Sequence, residues 1–150
     1  MKKVLTVLFV LPFLLACKEK PYDGPKITVE KDDSGALTEV EPITMFEVAF
    51  TNKIDSIFYI GDDSCSACQK LKPQLEAWVQ VYKGKIYYIP FQNITSENVQ
   101  YIYDSTVGYY QWAEDSSIPA TYFFMQGEVI IKGSSDNTMN FIKKYVAVQE

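Results

Sequence analysis

Two of the three cysteines in this chain, Cys65 and Cys68, stand as Cys-Ser-Ala-Cys within IGDDSCSACQKLKP, residues 60–73. Thiols at that spacing exchange electrons as a dithiol and disulfide, contribute to a metal site, or staple a short loop. Absences narrow the choice. The chain contains no histidine and no arginine, so all 14 of its cationic side chains are lysines. A zinc site commonly draws four ligands from Cys and His, and two thiols do not make one, so no metal is expected. The lack of histidine also removes Ser–His and Cys–His nucleophile pairs and the usual neutral-pH base. A passive disulfide stays open as an alternative, although closing so short a loop constrains the unfolded chain little.

Electron exchange needs one thiol to ionise readily, and the surrounding pattern supplies a reason. Ser56 to Ile60 is a nearly continuous apolar run, as expected of a central strand covered on both faces. Gly61 ends it, and from about Cys65 to Tyr82 the residues Leu71, Leu75, Trp78, Val79 and Tyr82 recur on one broad helical face, with Gly84 as a plausible stop. This strand, turn and helix order sets Cys65 at a helix amino terminus, where unpaired N–H groups and the helix dipole favour a thiolate. Cys68 lies one turn further on, placed to resolve a mixed disulfide formed at Cys65.

The remaining elements follow from periodicity. A helix is expected from Pro42 through Phe50, a second apolar strand over Lys85 to Phe91, and a helix from Thr95 or Ser96 to about Tyr103. The runs ATYFFM and EVIIK flank Gln126-Gly127 and read as a hairpin. A last helix turns Met139, Ile142, Tyr145 and Val146 inward. Ile27 to Val29 and Leu37 to Val40 are short edge-strand candidates. The core order β-α-β-α-β-β-α implies an α/β fold, a mixed sheet with helices on both faces. At 150 residues the chain suits one domain. Its net charge of −5 without arginine argues against nucleic acid, and no phosphate-binding loop or carboxylate pair points to a cofactor.

The amino end stands apart from this pattern. Lys2 and Lys3 precede an apolar run from Val4 to Ala16, too short for a stable membrane span and suited to an export signal. Leu14, Leu15 and Ala16 before Cys17 resemble the lipobox of bacterial lipoproteins. The resemblance implies cleavage before Cys17, which becomes a lipid anchor; an ordinary signal peptide with an incidental cysteine is the alternative. The expected organisation is a signal over residues 1–16, a tether over 17–26 rich in charge, Pro and Gly, and a domain over 27–150. Such a protein sits on the outer face of the cell membrane, where disulfides persist.

From about Ile43 to Val148 the chain resembles the thioredoxin-like superfamily. SIFYIG leads into CSAC, Pro73 follows five residues after Cys68, SIPATYFF matches a cis-proline loop and strand, and MQGEVIIKG matches the closing hairpin. Within the superfamily, YIGDDSCSAC most resembles proteins of low-GC Gram-positive bacteria, including those called bacteriocin transport accessory proteins. The resemblance implies a thioredoxin-like fold with a central sheet of four to five strands. It implies that Cys65 attacks, that Cys68 resolves, and that Ile118 and Pro119, joined by a cis bond, border a groove for extended protein substrates. Protein thiols and disulfides are then the partners, with a membrane redox partner to reset the pair. A non-catalytic accessory lipoprotein with a passive disulfide is the rival reading.

Departures mark where the resemblance thins. Ser64 stands where a tryptophan is usual, and Ser66-Ala67 replaces Gly-Pro. Tyr59 stands where a buried acid is expected, leaving Asp62 and Asp63 as nearby candidates to take the Cys68 proton, with two solvated turn acids as the favoured alternative. Tyr109, Tyr110 and Trp112 are candidates for an apolar rim beside the Pro119 loop, or for simple packing.

Overall fold

The computed structural model describes residues 22–106 and 117–150. Strand β1 (Ile27–Val29) and strand β2 (Thr38–Glu39) precede helix α1 (Pro42–Met45), which continues as a π-helical segment, Phe46–Thr51. Then come β3 (Ser56–Gly61), α2 (Ser66–Tyr82), β4 (Tyr87–Pro90), a 3-10 turn (Phe91–Asn93) and α3 (Val99–Ser105). The chain closes with β5 (Ala120–Met125), β6 (Glu128–Gly133), α4 (Thr138–Tyr145) and β7 (Val146–Val148).

Five strands form one mixed sheet in the order β2-β4-β3-β5-β6, with β3 at its centre. Strand β4 runs parallel to β2 and β3, whereas β5 is antiparallel to both β3 and β6. All six residues of β3 are buried, which is why their sequence is an apolar run and not an alternation. The period of two still decides which layer each side chain enters. Ile57, Tyr59, Tyr88 and Phe123 pack with Leu71, Leu75, Trp78 and Val79 of α2 and Ile142 of α4. Phe58, Ile60, Tyr87, Ile89, Tyr122 and Phe124 pack on the other face with Met45, Ala49 and Ile102. Each fully buried aliphatic or aromatic side chain contributes about 1.5–3 kcal/mol. Stacked rings tie neighbouring strands in both layers: Phe58 on Tyr87 at 4.6 Å and Tyr59 on Tyr88 at 5.4 Å between centroids.

The expected hairpin turns at Gln126 and Gly127, both with positive φ, 54° and 92°. Three local expectations are corrected. Val146 does not continue the last helix: Val146–Val148 is an extended strand that pairs in parallel with β1, outside the five-stranded sheet. Ile27 and Val29 are buried, so their backbone needs a ladder partner, and the β-branched Val-Ala-Val run supplies one. The helix expected from Thr95 begins at Val99, because residues 95–98 are drawn into a hydrogen-bonded turn ahead of it. Thr95 N–H donates to Asn98 Oδ1 at 2.8 Å, and Val99 N–H donates to the Thr95 carbonyl at 3.0 Å. Finally, the left-handed stop of α2 falls on Lys83, φ 59°, and not on Gly84. Gly84 is needed for space: a Cβ there would run into the Trp78 ring and come within 2.8 Å of a Val148 methyl.

Candidate active site

Between the end of β3 and the start of α2 the chain turns within four residues. Asp62 builds the turn, its Oδ1 accepting from both the backbone N–H and the hydroxyl of Ser64 at 2.6 Å. The Cys65 N–H donates to the Asp62 carbonyl at 3.1 Å, closing the loop. Cys65 thereby becomes the N-cap of α2. Its sulfur accepts from the Cys68 N–H at 3.2 Å, and its carbonyl accepts from the Gln69 N–H at 3.0 Å. A cap position leaves side chain and amides pointing at one another, which suits a sulfur that must carry negative charge.

Cys65 is half-buried and Cys68 is 1% exposed; both are free thiols. Across from Cys65, the Ile118–Pro119 peptide is cis, and the Cys65 thiol donates to the Ile118 carbonyl at 3.7 Å. Pairing between β3 and β5 ends at Ile60 and Ala120, so Ile118 and Pro119 lie just beyond the ladder. Cys65, Cys68, Ile118 and Pro119, singled out from the sequence, are thus brought together at the carboxyl end of β3. Cys17 and the aromatics Tyr109, Tyr110 and Trp112 fall outside the described residues.

The buried thiol of Cys68 ionises reluctantly. Burial pushes the Cys68 thiol up to about 11, and its interaction with Cys65 adds to the rise. The Asp62 backbone N–H and the Tyr59 hydroxyl act in the opposite sense, favouring the Cys68 thiolate. Neither turn carboxylate is bonded to that sulfur. Asp62 is engaged by Ser64, whose hydrogen bonds hold it below the usual carboxylate range. Asp63 pairs with Lys72 Nζ at 2.9 Å, and its carbonyl accepts from Gln69 Nε2 at 2.7 Å. Lys72 also sits over the Tyr88 ring, 4.5 Å from its centroid. Both turn acids are thus bonded to groups other than the Cys68 sulfur. Lys72 and Tyr88 carried no sequence signal, because their approach to the turn depends on the packing of α2 against β4.

No protein-family model matches this chain, and no curated protein does either. Solved structures do. Thioredoxin O1 from Arabidopsis thaliana in its oxidised state superposes with a TM-score of 0.55 at 15% identity, over 75% of this chain and 99% of that one. A mutant thioredoxin from Halobacterium salinarum gives 0.51 at 17% identity, over 77% and 96%. A chain from the complex of ferredoxin:thioredoxin reductase with thioredoxin f2 gives 0.52 at 12% identity, over 74% and 96%. The fold is therefore the thioredoxin fold, with the β1–β7 pair standing outside its five-stranded sheet.

Proposed function

We propose that the chain is a thiol–disulfide oxidoreductase acting on protein substrates, held on the outer face of the cell membrane by lipid on Cys17. The observation that carries the reading is the position of Cys65: a half-buried N-cap sulfur facing the Ile118–Pro119 bend, with a second thiol one helical turn away. Cys65 attacks a substrate disulfide as its thiolate, forming a Cys65–substrate bond and releasing the other substrate sulfur as a thiolate. Cys68, deprotonated to solvent, then attacks Cys65 Sγ. The Cys65–Cys68 bond forms, the mixed disulfide breaks, and the second substrate thiolate leaves. The substrate gains two electrons and the dithiol loses them. Run in reverse from the disulfide form, the same steps oxidise a substrate dithiol, and a membrane redox partner resets the pair. The Ile118 backbone, just before the start of β5, pairs with an extended substrate strand.

The first described residues pack on the domain near the opposite end of β3. Tyr22, the first described residue, stacks edge-on against Tyr145 with ring centroids 4.7 Å apart and shares a cavity with Met125, just beyond the β5 residue that pairs with the start of β3.

Two experiments test the proposal. A Cys68→Ala variant is expected to accumulate mixed disulfides with cellular proteins, and these disappear when Cys65→Ser is added; absence of trapped species points to the passive-disulfide accessory protein. Fatty-acid labelling that is equal in the wild type and in Cys17→Ala overturns the anchor.

A further inference from the structure

One polar atom at the centre of this site has no use in the steps above. The Tyr59 hydroxyl is fully buried and, among the described residues, is the buried side-chain polar atom without a hydrogen-bond partner. An orphaned buried hydroxyl costs about 1–3 kcal/mol, so its retention asks for a reason. Its position is fixed from three sides. The ring stacks on Tyr88, whose own hydroxyl reaches the Gly61 carbonyl at 3.5 Å. Leu71 and Leu75 belong to the same packed layer. The hydroxyl itself occupies the notch at Gly61, where any Cβ would collide with it. That notch lies at the end of β3, directly before the turn, and Cys68 is buried on the face of α2 that carries Leu71 and Leu75 into this same layer, where it acts on the hydroxyl ahead of Tyr88 and Cys65.

We propose that Tyr59 is a positioning residue for the resolving step: a phenol that stays neutral and donates its hydrogen bond to the Cys68 sulfur as that sulfur becomes a thiolate. The inference rests on the oxidoreductase reading and goes beyond it by assigning how a buried thiolate is held where no carboxylate is bonded to it. Before resolution the neutral thiol leaves the hydroxyl without a hydrogen bond. Once the Cys68 proton has left to solvent, the same hydroxyl meets a full negative charge and the hydrogen bond becomes charge-assisted. Tyr59 does not take the proton itself. Burial, and after it the neighbouring Cys68, hold its own ionisation far above the phenol range. The other groups around the sulfur are accounted for: Cys65 opposes a second negative charge, the Asp62 backbone N–H supports it, Asp62 is bonded to Ser64, and Asp63 is paired with Lys72 beside Tyr88.

The test isolates the Cys68 thiol in the full-length chain carrying Cys17→Ala and Cys65→Ala, so that Cys68 is the one cysteine left of three. Its alkylation rate by iodoacetamide is followed against pH, with thiolate absorbance as a second readout. Adding Tyr59→Phe is expected to raise the midpoint by about one pH unit and slow alkylation about tenfold at fixed pH. Tyr88→Phe, which removes a hydroxyl from the same stack, leaves the midpoint in place. A merely structural Tyr59 would move the thermal midpoint and not the titration. The proposal is overturned if Tyr59→Phe leaves the Cys68 profile unchanged, or if Tyr88→Phe shifts it equally. Because the readout is the titration of one thiol, it stands whether or not the wild type exchanges disulfides, and mixed-disulfide trapping judges that reading separately.

Discussion

The two ends of β3 are built on opposite principles. Its amino end is tied down by hydrogen bonds and an ion pair. The Asp55 carboxylate accepts from the Thr28 N–H and from the Gln126 N–H, both at 3.0 Å, tying the entering chain to the hairpin. The β1–β7 ladder is extended by the Gln149 N–H to the Val29 carbonyl at 3.0 Å, and Lys85 pairs with Glu30 at 2.9 Å. At the carboxyl end, one hydroxyl is orphaned, one thiol is buried with its ionisation suppressed, and the β3–β5 pairing stops at Ala120, the residue next to the bend. Unmet hydrogen bonds cost stability, and the fold concentrates that cost where chemistry is proposed. The lesson is that the clasp end carries stability while the turn end carries reactivity, and each can be perturbed alone.

The largest effect that separates them is Cys65→Ser. Reduction of a protein disulfide such as those of insulin is expected to fall to the uncatalysed rate, with the urea midpoint unchanged. Asp55→Ala is the mirror image: it strips an acceptor from two backbone amides at once and is expected to lower stability by about 1–2 kcal/mol, read by urea denaturation, with exchange activity retained. Loss of activity in Asp55→Ala at temperatures where it is folded would break the comparison.

Gly61→Ala and Gly84→Ala probe the same kind of crowding at the two ends. The first drives a methyl into the Tyr59 hydroxyl and ring, and the second into Trp78 and Val148. Each is expected to cost about 1–3 kcal/mol, but only Gly61→Ala also displaces the Cys68 titration.

The pH dependence of stability sharpens the contrast further. Cys68 has a folded ionisation raised from 9.0 to about 11, so the unfolded chain sheds this proton first as pH rises. Stability of the dithiol form is therefore complete below about pH 9 and declines through about pH 11. The part of that decline due to Cys68 disappears in Cys68→Ala, measured as urea midpoint against pH.

The smallest effect belongs to the stop of α2. Lys83 holds a left-handed conformation that glycine adopts freely, and Lys83→Gly is expected to add about 0.5–1 kcal/mol with no change in activity.

Much of the architecture could be read from local pattern, because burial imposes periods on the chain. The apolar run of β3, the stripe of α2 and the Gln126-Gly127 turn each answer to interactions between residues near in sequence. So does the cap at Cys65, since a turn built by Asp62 and Ser64 is complete within a few residues. Other features depend on partners far along the chain. Val146–Val148 is a strand because β1 lies beside it, more than a hundred residues earlier, and no local propensity encodes that neighbour. Gly84 is spared a side chain by Trp78 and Val148, and the glycine alone suggested only a helix stop.

The sequence by itself determined a strand, a turn and a helix with one cysteine at its head and another a turn later, since those positions follow from spacing and backbone geometry. It also determined that Tyr59, and not an acid, stands beneath them. Only the tertiary structure decided that the Ile118–Pro119 bend faces Cys65, that Asp62 and Asp63 are engaged elsewhere, and that a buried phenol lies beside the second sulfur. The physical reason is that ionisation depends on what surrounds a group in space. That surrounding is assembled from β3, α2 and β5, whose residues meet only when the sheet closes.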